Sequence, residues 1–188
     1  MTPTELLVPT FRQMLRTLSG LLDKAALQMS QQAETLMSAR LAPDMYPLAA
    51  QIRFAALQAQ EALFRLRGEP LPERLTILAA EGRNAGDAPG SMADAQDRLA
   101  EAQAALDELS DDALDAGASR PIALELPGGI AFDMSGEQYA RDWALPQFYF
   151  HAVTAYAILR NQGVEIGKAD YVPHMFAYLR QVSSAPEG

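Results

Sequence analysis

One histidine inside an apolar stretch of the chain offers the clearest opportunity for chemistry. His151 is one of two histidines among the 188 residues, and Gln147 stands four residues before it. Residues four apart share one face of a helix, so this pair has the spacing of a His-x-x-x-His metal site with an amide in the first position. Asp44, from a distant part of the chain, is the plausible third ligand. The sequence thus supports the hypothesis of a divalent metal on His151, Gln147 and Asp44.

Two other interpretations of these residues remain open. His151 is more simply explained as a core residue hydrogen-bonded to a tyrosine, threonine or carboxylate, and Asp44 as the cap of a helix N-terminus. A small-molecule pocket without catalysis is the other, with Trp143, Tyr149 and Tyr156 lining it near His151. Aromatic residues at helical spacing more often belong to a core than to a pocket.

Composition and missing motifs exclude several classes of function. The chain has no cysteine, which rules out disulfides, thiolate nucleophiles and cysteine-ligated metals. The common nucleotide-binding, acyl-transfer and zinc-protease motifs are missing. A net charge of −9 with dispersed Lys and Arg disfavours binding to nucleic acid or anionic membranes. No secretory signal or membrane span is recognisable, so we expect a cytoplasmic globular protein.

The elements that position these residues are predominantly helical. Apolar residues recur every three or four positions in a first helix, in a second from about Asp44 to Arg67, and in a third that Ser91 caps. Gly68 supplies the stop of the second helix. This spacing is typical of helices that pack at a shallow angle in a bundle. The first stripe consists of Leu7, Phe11, Met14, Leu18, Leu21 and Ala25.

The connections between these helices carry different signals. Prolines and glycines within about 69–90 predict an irregular connection that crosses the bundle. Apolar residues alternate over about 121–134 on both sides of Pro127-Gly128-Gly129, which predicts a β-hairpin lying against the bundle. Ser135 opens a capping-box pattern for the fourth helix, which should end before Gly163.

The fourth helix is the most apolar of the four. Large apolar side chains cover nearly its whole circumference, which predicts a central helix surrounded by the others. Pro146 should bend it, because proline removes one internal hydrogen bond. The side chains concerned are Phe148, Tyr149, Phe150, Val153, Tyr156, Ile158 and Leu159.

Two long stretches make the sequence recognisable. SARLAPDMYPLAAQIRFA (38–55) and LPQFYFHAVTAYAILRNQGVEIGKADYV (145–172) resemble an uncharacterised bacterial family of domains of unknown function, related to the DinB/YfiT-like metalloenzyme superfamily. The resemblance covers nearly the whole chain. It implies one mainly all-α domain over 1–188. The expected fold is a DinB-like four-helix bundle with long crossover connections and one small hairpin before the last long helix.

The same resemblance bears on the site. DinB-like metal sites generally use one histidine from the second helix and two, spaced four apart, from a later helix. Only His151 matches this pattern, because Gln147 stands at the partner position and the second helix contains no histidine. The resemblance therefore implies a degenerate metal site. It also implies a homodimer, since relatives often form one.

These observations favour a binding or structural module over an enzyme, with no cofactor assigned. The alternative is a metal-dependent enzyme that acts on a small molecule through Asp44, Gln147 and His151. A pocket around His151, Trp143 and Tyr149 that binds a small molecule without transforming it is the third hypothesis. We expect neither nucleic acid nor a membrane among the partners.

Overall fold

Helices make up most of the first 107 residues. A computed structural model describes residues 1–126 and 128–180 of the chain. Three long helices and two shorter ones occupy the N-terminal part. They are α1 (Pro3–Gln28), α2 (Ala33–Leu36), α3 (Leu48–Arg67), α4 (Glu73–Asn84) and α5 (Met92–Asp107).

A hairpin and one long helical stretch follow. The strands β1 (Pro121–Leu126) and β2 (Ile130–Ser135) pair antiparallel. The helical stretch begins directly after β2 and contains a π-helical turn. Its parts are α6 (Gly136–Gln138), the π-turn (Tyr139–Ala144) and α7 (Leu145–Asn161), and the short helix α8 (Lys168–Tyr171) comes after it.

Four long helices form the bundle that the sequence predicts. The helix α3 packs against α5 and α7, and α1 packs against the same two helices, while α1 and α3 contact each other less across the diagonal. The connection between α1 and α3 therefore crosses the bundle. The shorter α4 covers a further side of α3. Within the described residues, no helix is long and apolar enough to span a membrane.

Local sequence signals set the ends of these helices as expected. The Ser91 side chain accepts a hydrogen bond from the backbone of Asp94, and Ser135 does the same with Gln138. Gly68 ends α3 with φ 71°, a left-handed conformation that glycine adopts without steric cost. Gly163 follows α7 with φ 91°. These four predictions are confirmed.

The start of α3 differs from the prediction. The helix begins at Leu48 rather than near Asp44, and Pro47 occupies its N-cap without a side-chain hydrogen bond. The proline ring disfavours helical conformation at the residue before it, so the helix does not continue back to Tyr46. Asp44 is exposed in the preceding turn and does not cap α3.

The interpretation of 69–90 as irregular is wrong over its middle part. The helix α4 occupies Glu73–Asn84 and buries Leu75 and Leu78 against the core. Pro72 immediately precedes its first turn, where a proline does not interrupt the hydrogen bonding of a helix. The prolines therefore mark the start of a helix.

The helix α7 is not surrounded, which corrects its expected central place. Phe150 is 57% exposed and Val153 49%. The enclosed helix is α3, which packs against α4, α5 and α7. Alanines such as Ala55, Ala59 and Ala62 are fully buried along α3, because small side chains let neighbouring helices approach closely.

The hairpin has the predicted register but a partly uncovered apolar face. Ile122 pairs with Met134, and Leu124 pairs with Phe132. Ile122 and Leu124 are buried, whereas Phe132 remains 42% exposed. The part of the hairpin nearest the bundle thus joins the core. Pro127, which the sequence places in the turn, lies outside the described residues.

The helical stretch widens into a π-helical turn just before Pro146, the residue at which the sequence predicts a bend. This turn spans Tyr139–Ala144 and immediately precedes α7. Proline has no N–H to donate, and its ring crowds the carbonyl four residues earlier, which belongs to Asp142. A widened turn at this place relieves both effects without ending the helix.

Candidate functional site

The histidine of α7 is hydrogen-bonded to a glutamine of α3. Nδ1 of His151 lies 2.8 Å from Oε1 of Gln51, a residue 100 positions away in the chain. Gln51 is 2% exposed, and His151 is half-buried. The contact lies in the interface between α3 and α7, which pack closely. The imidazole is therefore held by an amide from the enclosed helix.

The backbone before α3 fixes the orientation of this amide. Nε2 of Gln51 donates a hydrogen bond to the carbonyl of Tyr46, over 3.1 Å. Only the amide nitrogen can face a carbonyl oxygen favourably, so Oε1 must face His151. Because Oε1 accepts only, Nδ1 of the histidine carries the proton. In the neutral imidazole, Nε2 then holds the lone pair.

Burial keeps this imidazole neutral. Desolvation between the helices lowers the pKa of His151 from 6.5 to about 4. No carboxylate contributes to the shift, and the hydrogen-bond partner is an uncharged amide. At neutral pH, His151 is thus an uncharged side chain that both donates and accepts hydrogen bonds.

Aromatic rings provide the apolar surroundings. The ring of Phe54 lies 5.1 Å from the imidazole and that of Phe150 5.3 Å, centroid to centroid. Tyr46 stacks edge-on against Phe54 at 5.2 Å. These distances are typical of favourable aromatic pairs. Tyr46, Phe54, His151 and Phe150 form one continuous group, which we call the aromatic cluster, and Tyr46 and Phe150 reach the surface.

The other two residues of the metal hypothesis are placed differently. Gln147 lies one turn before His151 on α7 and is half-buried, but its amide makes no hydrogen bond to the imidazole. Asp44 is exposed in the turn before α3. Tyr46, two residues later, contributes to the site through the backbone carbonyl that orients Gln51. The turn before α3 thus contributes the backbone carbonyl of Tyr46 to the site, and not the carboxylate of Asp44.

The three aromatic residues assigned to a pocket pack against three different rings. Trp143 lies 6.0 Å from Phe132 of the hairpin, and Tyr149 lies 6.0 Å from Phe148. Tyr156 contacts Tyr171 at 5.5 Å on another flank of α7. A hollow of about 200 Å³ is lined by Val153, Tyr156, Lys168 and Tyr171. Of the three predicted aromatic residues, only Tyr156 lines this hollow.

Charged ligands are scarce around His151. Over residues 1–126 and 128–180, no group of three or more His, Cys, Asp or Glu side chains has the arrangement of a metal site. The imidazole is hydrogen-bonded to an amide and packs beside two phenyl rings. Neutral amide oxygens are weak ligands for transition metals compared with imidazole or carboxylate.

Sequence reasoning did not identify Gln51. The expectation of a hydrogen-bonded histidine named a tyrosine, threonine or carboxylate as its partner, and the partner is an amide. A signal was present, since Gln51 lies inside the stretch 38–55 that carries the family resemblance, on the helix expected to supply a ligand. Helical periodicity could not find it, because the contact spans 100 residues.

These features define a mainly helical bundle protein with a histidine–amide pair between two of its long helices. A family model described as "Domain of unknown function (DUF1993)" matches residues 4–172. The chain therefore belongs to this family, an uncharacterised one with the DinB-like fold. No match is found among curated proteins.

A solved structure resembles the chain over nearly its full length. It is the crystal structure of a DinB family member protein from Shewanella denitrificans, determined at 1.83 Å resolution. The two sequences are 28% identical, and the match covers 98% of this chain and 94% of that chain with a TM-score of 0.72. The expected DinB-like fold is confirmed.

Proposed function

We propose that the chain is an interaction module with a degenerate metal site. In this proposal, the pair of His151 and Gln51 replaces the metal centre that the DinB-like resemblance implies. The hydrogen bond of 2.8 Å between these two residues carries the proposal. It occupies Nδ1 of the imidazole and joins the same two helices that a metal would join.

The chemistry of the surrounding donors supports this proposal. A stable site for a divalent ion needs several charged or imidazole ligands around one position. His151 is the single imidazole here, Gln147 offers a neutral amide, and Asp44 is exposed. These residues do not fit a metal centre. The alternative, a metal-dependent enzyme that uses Asp44, Gln147 and His151, is therefore not supported by the chemistry of these side chains.

The lowered pKa of His151 also favours a binding role over a catalytic one. An efficient general base has a pKa near the working pH, because it must be free of the proton and still attract one strongly. The pKa of His151 is lowered to about 4, so its affinity for a proton at neutral pH is poor. A neutral imidazole locked to an amide is better suited to holding two helices in register.

The pair has a structural consequence that suits an interaction module. It fixes α7 against α3 at the position next to Phe150, whose ring is exposed. The aromatic cluster therefore presents an ordered apolar surface.

We place the protein in the cytoplasm, on the basis of its acidic, cysteine-free composition.

Metal content tests this proposal. The full chain would be purified without a histidine tag, incubated with zinc, nickel or iron, desalted, and assayed by inductively coupled plasma mass spectrometry. We expect less than stoichiometric metal in the wild type and no change in His151→Ala. His174→Ala is the matched control for nonspecific histidine binding. Stoichiometric metal that His151→Ala loses and His174→Ala retains would contradict the proposal.

A further inference from the structure

A groove separates α4 from α5 on the surface of α3. Both helices pack against α3, but they make little contact with each other. The space between them has a volume of about 540 Å³, and the buried Gln60 of α3 lines its base. Small-molecule sites in proteins usually enclose roughly 300–1,000 Å³. We call this space the α4–α5 groove, and the described residues that line it lie outside the histidine–amide pair and the aromatic cluster.

The two ends of the α4–α5 groove differ in how their charges are paired. A short connection joins the helices, so the first turn of α4 lies near the end of α5. Close to the connection, Arg98 pairs with Glu81 over 2.6 Å and with Glu101 over 3.0 Å. At the far end, Arg74 of α4 and Glu108 of α5 line the groove. Within the described ranges neither of these two residues takes part in an ion pair, so the far end offers one charge of each sign to a ligand.

A buried amide holds the side chain of Arg74 at the groove. Gln60 is fully buried, and its Nε2 donates a hydrogen bond to the carbonyl of Ala56 over 3.2 Å. Its Oε1 accepts a hydrogen bond from Nη1 of Arg74. The ring of Phe64 lies 5.6 Å from the guanidinium carbon, a distance typical of a cation–π contact. Both partners are uncharged, and a guanidinium has more N–H donors than this one bond uses. Arg74 is therefore positioned in advance for a carboxylate.

Between its ends the α4–α5 groove is apolar. Leu75 and Leu78 are buried against the core, whereas Ile77 is 51% exposed. On the α5 side the lining consists of Ala104 and Ala105, whose short side chains leave the space open. Covering the exposed isoleucine would remove apolar surface from water, which favours an apolar group of a ligand at this place.

From this arrangement we infer that the α4–α5 groove binds a small zwitterion with an apolar side chain, which is the chemistry of a free amino acid or a dipeptide. The carboxylate of the ligand accepts hydrogen bonds from Arg74, and its amino group donates to Glu108. The apolar side chain packs on Ile77 and the two alanines. The inference goes beyond the proposed function, because it concerns a different surface of α3.

Electrostatics favour a ligand with both charges over one with a single charge. A simple organic acid gains from Arg74 but is repelled by Glu108, and a simple amine meets the reverse combination. The helix dipoles act in the same sense as these side chains. Arg74 lies in the first turn of α4, where a negative group is stabilised, and Glu108 lies at the end of α5, where a positive group is stabilised.

Titration followed by nuclear magnetic resonance tests the inference on the full chain. L-phenylalanine or glycyl-L-phenylalanine should shift the side-chain amide signals of Gln60, because this buried amide is bonded to Arg74. The side-chain amide of Gln51 is the matched control, since it is also buried and lies in the histidine–amide pair. The probe that binds more tightly identifies the source as an amino acid or a dipeptide. Shifts confined to the aromatic cluster, or no shifts with either probe up to its solubility limit, overturn the inference.

Analogues that lack one charge test which residue recognises which group. N-acetyl-L-phenylalanine has no ammonium, and L-phenylalaninamide has no carboxylate. The wild type should bind each roughly fivefold to tenfold more weakly than L-phenylalanine. Glu108→Gln should abolish the preference over the N-acetyl compound, and Arg74→Gln should abolish the preference over the amide. Equal affinities of the wild type for all three compounds, or preferences that both variants retain, overturn the inference.

A substitution that fills the α4–α5 groove provides a test independent of charge. Ala104 is exposed in the groove, so Ala104→Trp should fold and should abolish binding of L-phenylalanine. Ala93→Trp is the matched control, because Ala93 is exposed on α5 outside the lining of the groove. Unchanged binding in Ala104→Trp, or equal losses in both variants, contradicts the assigned place. Neither result bears on whether His151 holds a metal, so this inference and the proposed function fail separately.

Discussion

Gln51 and His151 join α3 to α7 through a hydrogen bond between two uncharged side chains. Their atoms Oε1 and Nδ1 are 2.8 Å apart, and the carbonyl of Tyr46 holds the amide from its other end. Both groups are removed from bulk water, where an unpaired polar atom would be costly. The pair therefore stabilises one particular packing of α7 on α3 and makes the protonation state of His151 matter for stability.

Stability should decrease as the pH falls below about 6.5. In the unfolded chain His151 takes up a proton near its ordinary pKa of 6.5, whereas the folded-state pKa is about 4. Above pH 6.5 both states are neutral and His151 contributes no pH dependence. Between 6.5 and 4 the unfolded state binds the extra proton, so the free energy of unfolding falls by up to roughly 2–3 kcal/mol. Urea denaturation across this range measures the effect.

The second histidine provides the control for this measurement. His151→Gln should make the decrease between pH 6.5 and 4 smaller by the contribution of His151, while His174→Gln should leave it as in the wild type. Contributions from carboxylates are common to all three proteins and cancel in the comparison. An unchanged pH dependence in His151→Gln would show that His151 titrates normally in the folded protein.

Two substitutions should turn the histidine–amide pair into a metal site. Gln51→His places an imidazole opposite His151, and Gln147→His places another one turn before it on α7. Three imidazoles around one position form a zinc site, so the double variant should bind zinc stoichiometrically. The cobalt-substituted protein should show visible absorption bands of tetrahedral coordination.

A control with the same number of histidines checks that position matters. Gln58→His combined with Gln147→His puts the new imidazole two turns further along α3. We expect this variant to bind zinc much more weakly than the Gln51→His, Gln147→His protein. Equal affinities would mean that the position of Gln51 does not correspond to that of a ligand.

The sequence predicts the bundle well because helix periodicity and end signals are local. Gly68, Ser91 and Ser135 each act on neighbouring backbone atoms, and their effects appear within a few residues. The helix α4 was missed for a related reason. Prolines on either side suggest an irregular segment, although Pro72 before a first turn is compatible with a helix.

The site and the exposed face of α7 were beyond such local reasoning. Periodicity places His151 on a face of its helix but does not identify Gln51, which lies 100 residues away. A helix with apolar side chains all round can be enclosed by its own chain or covered by another. The exposure of Phe150 distinguishes these cases, and it depends on where α3 and α1 lie.

Substituting alanine for glycine should change the free energy of unfolding in opposite directions at two positions. A Cβ at Gly117 would overlap the carbonyl oxygen of Leu66, whereas a Cβ at Gly20 in α1 meets nothing within 4 Å. Gly117→Ala should therefore lower the free energy of unfolding by about 1–3 kcal/mol or more, since backbone atoms must move. Gly20→Ala should raise it by roughly 0.5–1 kcal/mol, because alanine favours a helix interior. Urea denaturation of both variants measures the difference, and destabilisation by both would contradict it.

Replacing Arg53 should lower the free energy of unfolding strongly, because this charged side chain is buried inside the protein. Its side chain is 5% exposed and donates hydrogen bonds to the carbonyls of Ala49 and Pro89, the latter over 2.8 Å. Glu81 lies 3.7 Å from its Nε. Burial lowers the pKa of Arg53, but the group stays charged at any ordinary pH. The residue therefore ties α3 to the segment between α4 and α5.

Replacing this guanidinium tests how much that connection contributes. Arg53→Met should lower the free energy of unfolding by about 2–4 kcal/mol, since it leaves the Pro89 carbonyl without its donor and removes a buried cation beside Glu81, which keeps only its ion pair with Arg98. The stability of Arg53→Lys should lie between that of the wild type and that of Arg53→Met, because lysine keeps the charge but lacks the several N–H donors of the guanidinium. Arg83→Met on the exposed side of α4 is the matched control and should change stability by less than about 0.5 kcal/mol. Chemical denaturation that finds Arg53→Met as stable as Arg83→Met would show that the buried charge contributes nothing to holding these segments together.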